Sequence, residues 1–417
     1  MRFTGSICAA LLLSALPLHA ADLAPTDWGQ WRGPNGNNVA VDGQTPPTEF
    51  GPRKNVVWKI AVPGRGHSTP TVVGDRIFLA TADEQNQIQG VICYDRKTGK
   101  QLWIQQVSQG GFPKTHPKNT HATCTINCDG EQLFVCFHHH DKLTLASLSI
   151  DGKPLWSIDA GPYAPRQYEY GYAPSPVLYQ NNVIISADYE GGGYIAAFDQ
   201  NSGRKVWNTP RPRKLSFSSP IIANIAGRDQ LLISGCERVS SFNPANGKEN
   251  WSVQGTTMAT CGTMVWDGDT VFASGGYPKA QTIAVKADGS RQVLWTNNVK
   301  CYEQSMIAHN GYIYGFSDNG IMFCWRGSDG EEMWKARMKG PVSASPILVN
   351  DTIYATNEAG QTWVFKASPQ GYREVARNQL GQEAFASLVI VDHQIFARVA
   401  EREGGRRQEY LYCFGNK

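Results

Sequence analysis

Cys93-Tyr94-Asp95, followed by Thr98-Gly99-Lys100-Gln101-Leu102-Trp103, closes a stretch from Arg76 to Trp103 that reads as an apolar strand, a polar break, a second strand and a glycine turn. The ending returns as Asp151-Gly152-Lys153-Pro154-Leu155-Trp156, Asn201-Ser202-Gly203-Arg204-Lys205-Val206-Trp207, Asn246-Gly247-Lys248-Glu249-Asn250-Trp251 and Asp329-Gly330-Glu331-Glu332-Met333-Trp334. In each, Trp stands four residues after Gly. A unit recurring at this spacing means stacked supersecondary modules rather than one continuous sheet.

Outward from that stretch, each unit divides into four strands. The first follows a small-residue triplet: Ser68-Thr69-Pro70, Ala122-Thr123-Cys124, Pro174-Ser175-Pro176, Ser218-Ser219-Pro220, Thr260-Cys261-Gly262, Ser305-Met306-Ile307, Ala344-Ser345-Pro346 and Ala386-Ser387-Leu388. The second is a short apolar run such as Ile77-Phe78-Leu79 or Val183-Ile184-Ile185, suited to a strand buried on both faces. The third carries a small residue in a fixed column: Cys93, Ser147, Ala197, Ser241, Ala284, Cys324, Val364 and Cys413. The fourth is the Trp strand, with Trp58, Trp103, Trp156, Trp207, Trp251, Trp295 and Trp334, and a degenerate Tyr372-Arg373-Glu374-Val375 in the remaining place.

The eighth unit ends at Tyr410-Leu411-Tyr412-Cys413-Phe414 without its fourth strand, while Val56 to Val62 is a strand with no unit. Pairing the two closes a ring and removes open sheet edges. The expected fold is all-β: an eight-bladed propeller of four-stranded antiparallel blades, clasped by an N-terminal strand. Asp95 and Asp199 are expected to accept turn amides, Gly99 and Gly203 to take positive φ, and each Trp to dock on the next blade.

Residues 1–20 read as a secretory signal peptide, with Arg2, an apolar run from Ile7 to Leu13 and a small-residue site at Ala20-Ala21. Residues 21–54 form a lead-in containing Asp27-Trp28-Gly29-Gln30-Trp31-Arg32-Gly33-Pro34, either packed on the body or an extended surface arm, and residues 55–417 form the propeller. No later apolar run spans a bilayer, so a secreted, periplasmic monomer without a transmembrane anchor is expected. Cys8 within the apolar run, with no Cys at the cleavage point, argues against a lipid anchor. Loss of Arg2 lowers the formal charge from +3 to +2, too near zero for a nucleic-acid surface. Nine of the ten cysteines remain. Cys93, Cys324, Cys413 and Cys261 read as small packing residues in repeat columns, while the pairing of Cys124, Cys128, Cys136, Cys236 and Cys301 is left open.

In an antiparallel blade, the links between blades and the links between second and third strands open on one face. That mouth collects His67, Lys118, Asn119, His121, Glu169, Tyr170 and Glu303, the expected binding residues. His121, His138 and His140 are candidate metal ligands at the end of the second blade, which would suit a metal-dependent hydrolase, although adjacent histidines on a strand point to opposite sides. No nucleophile elbow, phosphate loop or metalloprotease helix occurs.

The unit as a whole, Ser-x-Pro, apolar strand, small-apolar-Asp and Thr-Gly-Lys-x-x-Trp, resembles the pyrroloquinoline-quinone-type propeller repeat. That repeat is found in quinoprotein dehydrogenases and in the propeller lipoprotein of bacterial outer-membrane assembly. The Asp27-Trp28-x-x-Trp31-Arg32-Gly33-Pro34 opening and Lys118-Asn119-Thr120-His121-Ala122 resemble its secreted branch. The resemblance spans about residues 27 to 417 and is specific for fold. The signal peptide, the complete eightfold register and the lack of a catalytic constellation lead to the expectation of a binding or assembly scaffold, without cofactor, for a protein or glycan-like partner in the cell envelope. The alternative that the resemblance implies is an oxidoreductase using pyrroloquinoline quinone with calcium, for which Glu169, Asn119 and Glu303 are the available oxygen ligands. Against the second stand the compact units, the absence of adjacent cysteines and the lack of an identifiable catalytic Asp.

Overall fold

The computed structural model describes residues 23–416, and the expected signal peptide lies outside them. The described residues contain strands and turns but no helix. The strands form eight four-stranded sheets. The first blade comprises Thr71–Val73, Arg76–Asp83, Ile88–Asp95 and Gln101–Gln109, numbered from the axis outward. Six further blades follow in the same order, and the eighth is built from Val389–Val391, Gln394–Glu403, Arg406–Phe414 and, as its outer strand, Val56–Val62. Lys59 opposite Tyr412 and Ala61 opposite Tyr410 set the antiparallel register of this clasp.

The small-residue column occupies the same register in every blade. Cys93 lies between Phe78 and Trp103, Ser147 between Phe134 and Trp156, Cys324 between Tyr314 and Trp334, and Cys413 between Phe396 and Trp58. A large ring on either side leaves room for only a small residue between them, which explains Cys, Ser and Ala there. One position beyond the column every blade has a bulge. It adds twist and re-aims the Trp. In the seventh blade the Trp position falls on Ala376, opposite Val364, and not within Tyr372 to Val375.

The Trp docking is specific. Trp58 covers Gly99, Trp103 covers Gly152, Trp156 covers Gly203, Trp207 covers Gly247 and Trp295 covers Gly330, where an added Cβ would sit 2.4–2.9 Å from the indole or a neighbouring side chain. The indole N–H of Trp103 donates to Ile150 O at 3.2 Å, that of Trp156 to Gln200 O at 2.7 Å, and that of Trp58 to Arg96 O at 3.0 Å. Each of these three therefore joins its blade to the next by apolar area and one hydrogen bond, and Trp58 does so across the closing seam. Asp95 accepts from Thr98 N at 2.8 Å and Asp199 from Ser202 N at 2.8 Å, while Gly99 and Gly203 sit at φ of 73° and 69°.

The first-strand column differs in three blades from the triplets read in the sequence. Thr69, Thr125, Ser175, Ser219, Thr263, Ser305, Ser345 and Ser387 each stand two residues before the first strand of a blade. Thr123 and Cys261 are thus two residues out, and Ser305 rather than Met306 is the equivalent position. These hydroxyls form a ring: Thr69 N donates to Thr125 Oγ1 at 3.2 Å, Thr125 N to Ser175 Oγ at 3.0 Å, Ser175 N to Ser219 Oγ at 2.9 Å, and Ser345 N to Ser387 Oγ at 3.0 Å. None of the nine cysteines is in a disulfide, and all but Cys261 are buried. Burial pushes the thiols of Cys93, Cys324 and Cys413 up to about 12, so they remain protonated and inert.

The lead-in is not a surface arm. Trp28 is fully buried and pairs with Val72 of the first blade, and Val39 bridges Leu348 of the seventh. Between these anchors Arg32 donates to Met306 O of the sixth blade at 3.1 Å, and the Trp31 indole donates to Thr263 Oγ1 of the fifth at 2.9 Å. The segment therefore crosses the end of the axial channel opposite the mouth.

Candidate functional site

Crossing the channel makes it a well. Its volume is about 320 Å³, with Trp31 and the hydroxyls of Thr69, Thr125, Ser175, Ser219, Ser345 and Ser387 on the lining. Above them the walls divide by chemistry. On one side Tyr170 lies 6.2 Å from Phe217 in a stacked arrangement, Tyr168 lies 5.5 Å from Tyr170, and Tyr168 Oη donates to Tyr277 Oη at 3.0 Å. His116 meets the edge of Tyr170 at 5.0 Å, and His67 stacks on Phe385 at 4.4 Å. Burial, then the charges of Arg65, Arg398 and Arg407, hold the His67 imidazole well below its usual range, so it is neutral.

The other side is charged. Lys118, from the link between the first two blades, reaches across to Glu358 in the seventh, with Nζ 2.7 Å from Oε1. Ser343 Oγ contacts Glu358 Oε1 at 2.7 Å and also Glu303 Oε2. Burial raises the Glu303 carboxyl above its ordinary value, against the opposing Ser343 bond and Lys118 charge. Although desolvation opposes it, the hydrogen bond to Glu358 and the charge of Glu303 hold the Lys118 ammonium above its ordinary value. Lys300 pairs with Asp318 at 3.2 Å nearby.

Of the residues expected at the mouth, His67, Lys118, Asn119, Tyr170 and Glu303 line this one well. Glu169 is exposed and faces Lys114 at 3.4 Å. His121 stacks on Phe112 at 4.1 Å and shares a separate crevice of about 10 Å³ with His138. His138 is buried edge-on against Tyr163 at 4.8 Å, whereas His140 is exposed beyond the strand end. The histidine trio does not converge, and among the described residues no group of three or more His, Cys, Asp or Glu is placed to hold a metal ion. The structure adds Trp31, Phe217, Tyr277, Ser343 and Glu358. Glu358 was accessible from the rule already used for the mouth, since Asn357-Glu358-Ala359-Gly360 links a second to a third strand.

The well does not suit pyrroloquinoline quinone with calcium. That cofactor is a polycarboxylate, and Lys118, the cation on the lining, is already spent on Glu358. The proposed calcium oxygens are scattered: Asn119 Oδ1 accepts from Thr120 N at 2.8 Å, Glu169 lies outside the well, and Glu303 is held by Ser343. A calcium ion needs six to eight oxygens at one point.

Burial pushes the His138 imidazole down to about 4. An unfolded chain protonates it near its ordinary value of about 6.5, so the unfolded state binds more protons between the two values. Stability is therefore lost as pH falls from about 6.5 towards 4, by on the order of 3 kcal/mol when complete. His138→Phe is expected to flatten this part of the profile, read from urea midpoints at neutral pH and at about pH 4. An unchanged slope would mean that other groups govern acid sensitivity.

The family model described as outer membrane protein assembly factor BamB matches residues 51–190 and 89–336. The chain is similar to the outer membrane protein assembly factor BamB of Burkholderia pseudomallei, 22% identical over 76% of this chain and 68% of that protein. The Bordetella pertussis protein of the same name is 21% identical over 82% of this chain and 83% of its own length. Among solved structures, a europium-containing methanol dehydrogenase superposes with a TM-score of 0.69 at 10% identity, covering 94% of this chain and 98% of that one. BamB from Moraxella catarrhalis gives 0.59 at 15% identity, covering 85% and 96%. At such identities the structural likeness speaks to fold alone. With the eightfold register and the family model agreeing over most of the propeller, the chain belongs to the BamB family of pyrroloquinoline-quinone-like propeller repeats.

Proposed function

We propose that the protein is a secreted, periplasmic propeller that acts as a binding or assembly scaffold, engaging a protein or glycan-like envelope partner through the face on which the links between blades converge. The observation that carries this reading is the mouth itself. Aromatic and charged side chains from at least five blades and links meet over a well closed from below, whereas the opposite face carries the tight Asp-Gly turns of the repeat. Large aromatic groups beside satisfied charge pairs are the usual composition of a recognition surface. The name of the relatives, assembly factor, agrees with a scaffold.

A photo-crosslinking residue at Glu169 or Tyr277, both exposed on the loop face, is expected to give a discrete adduct in envelope extract. The same residue at Lys153 or Lys248, exposed on the opposite face, is expected to give none. Equal labelling from both faces, or none from either, would overturn the reading. Addition of pyrroloquinoline quinone and calcium is expected to produce neither bound-cofactor absorbance nor dye reduction, and a robust signal would instead favour the oxidoreductase.

A further inference from the structure

The floor of the well is a ring of hydroxyls whose hydrogen-bonding capacity is only partly used within the protein. The hydroxyl oxygens of Thr125, Ser175, Ser219, Ser345 and Ser387 each receive a backbone N–H from the neighbouring blade. The single lone O–H of each is therefore directed elsewhere, and among the described residues none donates to a protein acceptor. Thr69 Oγ1, only 2% exposed as a residue, has no hydrogen-bond partner at all. Unsatisfied buried hydroxyls are costly, so whatever fills this floor brings groups that both accept and donate hydrogen bonds, as hydroxyls do.

The rim determines the charge of the occupant. Ser343 has one hydroxyl proton but contacts carboxylate oxygens of both Glu303 and Glu358. The two carboxylates therefore share one donor, and Glu358 also pairs with Lys118. With Lys300 paired to Asp318, each of these charged side chains already has a partner. An anion finds Lys118 occupied by Glu358, and a cation finds Glu303 and Glu358 already engaged. Flat apolar faces lie on the wall, those of Tyr170 and Phe217, and at the bottom, that of Trp31.

An uncharged molecule with an oxygen-rich edge and an apolar face meets all three conditions. We propose that the axial well binds the end of an uncharged carbohydrate chain, with sugar oxygens on the hydroxyl ring and a sugar face against the aromatic wall. An end is required because the lead-in closes the far side of the channel. This inference rests on the loop face being the recognition face, and it names the ligand class of the well.

Calorimetric titration of the full chain with maltotriose and with triacetylchitotriose, alongside trigalacturonate as the acidic counterpart, tests it. At least one neutral trisaccharide is expected to bind, at least about tenfold more tightly than trigalacturonate. Trp31→Ala and Tyr170→Ala are each expected to weaken that binding by about tenfold or more, with unchanged far-ultraviolet circular dichroism to show that the ring is intact. No binding of either neutral probe at about 10 mM, equal binding of the acidic one, or affinity unmoved in both variants would overturn the proposal. The photo-crosslinking result separates the two failures: a loop-face adduct without sugar binding leaves the scaffold standing and removes only the ligand assigned to the well.

Discussion

Arg398→Ala is expected to destabilise the protein by about 3–5 kcal/mol, because it breaks an ion pair that is buried on both sides. Arg398 and Glu409 have side chains 2% exposed, with Arg398 Nε donating to Glu409 Oε2 at 2.8 Å. The pair is placed where the ring closes. Arg398 Nη1 also donates to Ser68 Oγ at 3.0 Å and to Ala80 O at 2.8 Å, both belonging to the first blade or its link, and Glu409 Oε1 accepts from Gly66 N at 3.1 Å. Removal of the guanidinium thus leaves a buried carboxylate with Arg407 as its remaining cation, at 2.9 Å, and leaves Ala80 O without this side-chain donor.

The seam location adds a second expectation. Amide exchange in Val56–Val62 and in Arg406–Phe414 should accelerate before that of the fourth or fifth blade, since the clasp is held by these strands and by Arg398. Arg398→Met combined with Glu409→Gln should recover much of the loss, as replacing both charges avoids the unpaired ion. Urea midpoints at constant slope measure all three variants. A loss below about 1 kcal/mol for Arg398→Ala would mean that strand pairing and Trp58 alone close the ring.

The fold was legible because one local rule repeats. A small residue flanked by rings, then Gly and Trp, sets register, bulge and docking together, and the column from Cys93 to Cys413 could be aligned without any long-range information. The hydroxyl column was less legible for a physical reason. In the second and fifth blades the misread residues, Thr123 and Cys261, stand two positions from Thr125 and Thr263, and a shift of two keeps a residue on the same side of an extended chain. Proline marks the right register at Thr69, Ser175, Ser219 and Ser345, and these two blades lack it.

The candidate site was legible by residue type but not by pairing. The links announced an aromatic and charged mouth, and five of seven chosen residues line it. That Lys118 would find Glu358, 240 residues away, depends on side-chain reach across the channel, which no local pattern encodes. The same holds for Trp31. Its Trp-x-x-Trp setting suggested packing on the body, yet only the crossing of the lead-in places one indole under the first blade and the other in the well.

Trp251→Ala is expected to cost about 3–5 kcal/mol, at the upper end for the Trp series. By sequence Trp251 is one of seven equivalent residues, but its environment differs. It is 1% exposed, while Trp103, Trp156, Trp207 and Trp334 remain half-buried. It does not cover the following turn glycine, Gly289, whose nearest neighbour is Arg228. Its indole N–H donates instead to Gln230 Oε1 at 2.8 Å, and Gln230 Nε2 donates onward to Ala287 O at 2.7 Å and to Ile225 O at 3.0 Å. Ser241, the small residue of that column, donates to the same Gln230 oxygen at 2.6 Å. Here an amide relays the bond that elsewhere runs directly from indole to the next blade, and the relay works because all four hydrogen-bonding positions of Gln230 are used. Trp251→Ala would therefore open a cavity and also strip one bond from a fully buried amide. Trp251→Phe should keep most of the packing and lose the bond, costing about 1–2 kcal/mol, and Trp103→Ala should cost less than Trp251→Ala because part of its surface is already wet. If denaturant midpoints placed Trp103→Ala at or above Trp251→Ala, the docking of each Trp on its neighbour's glycine turn, rather than burial within the blade interface, would be the dominant contribution to ring stability.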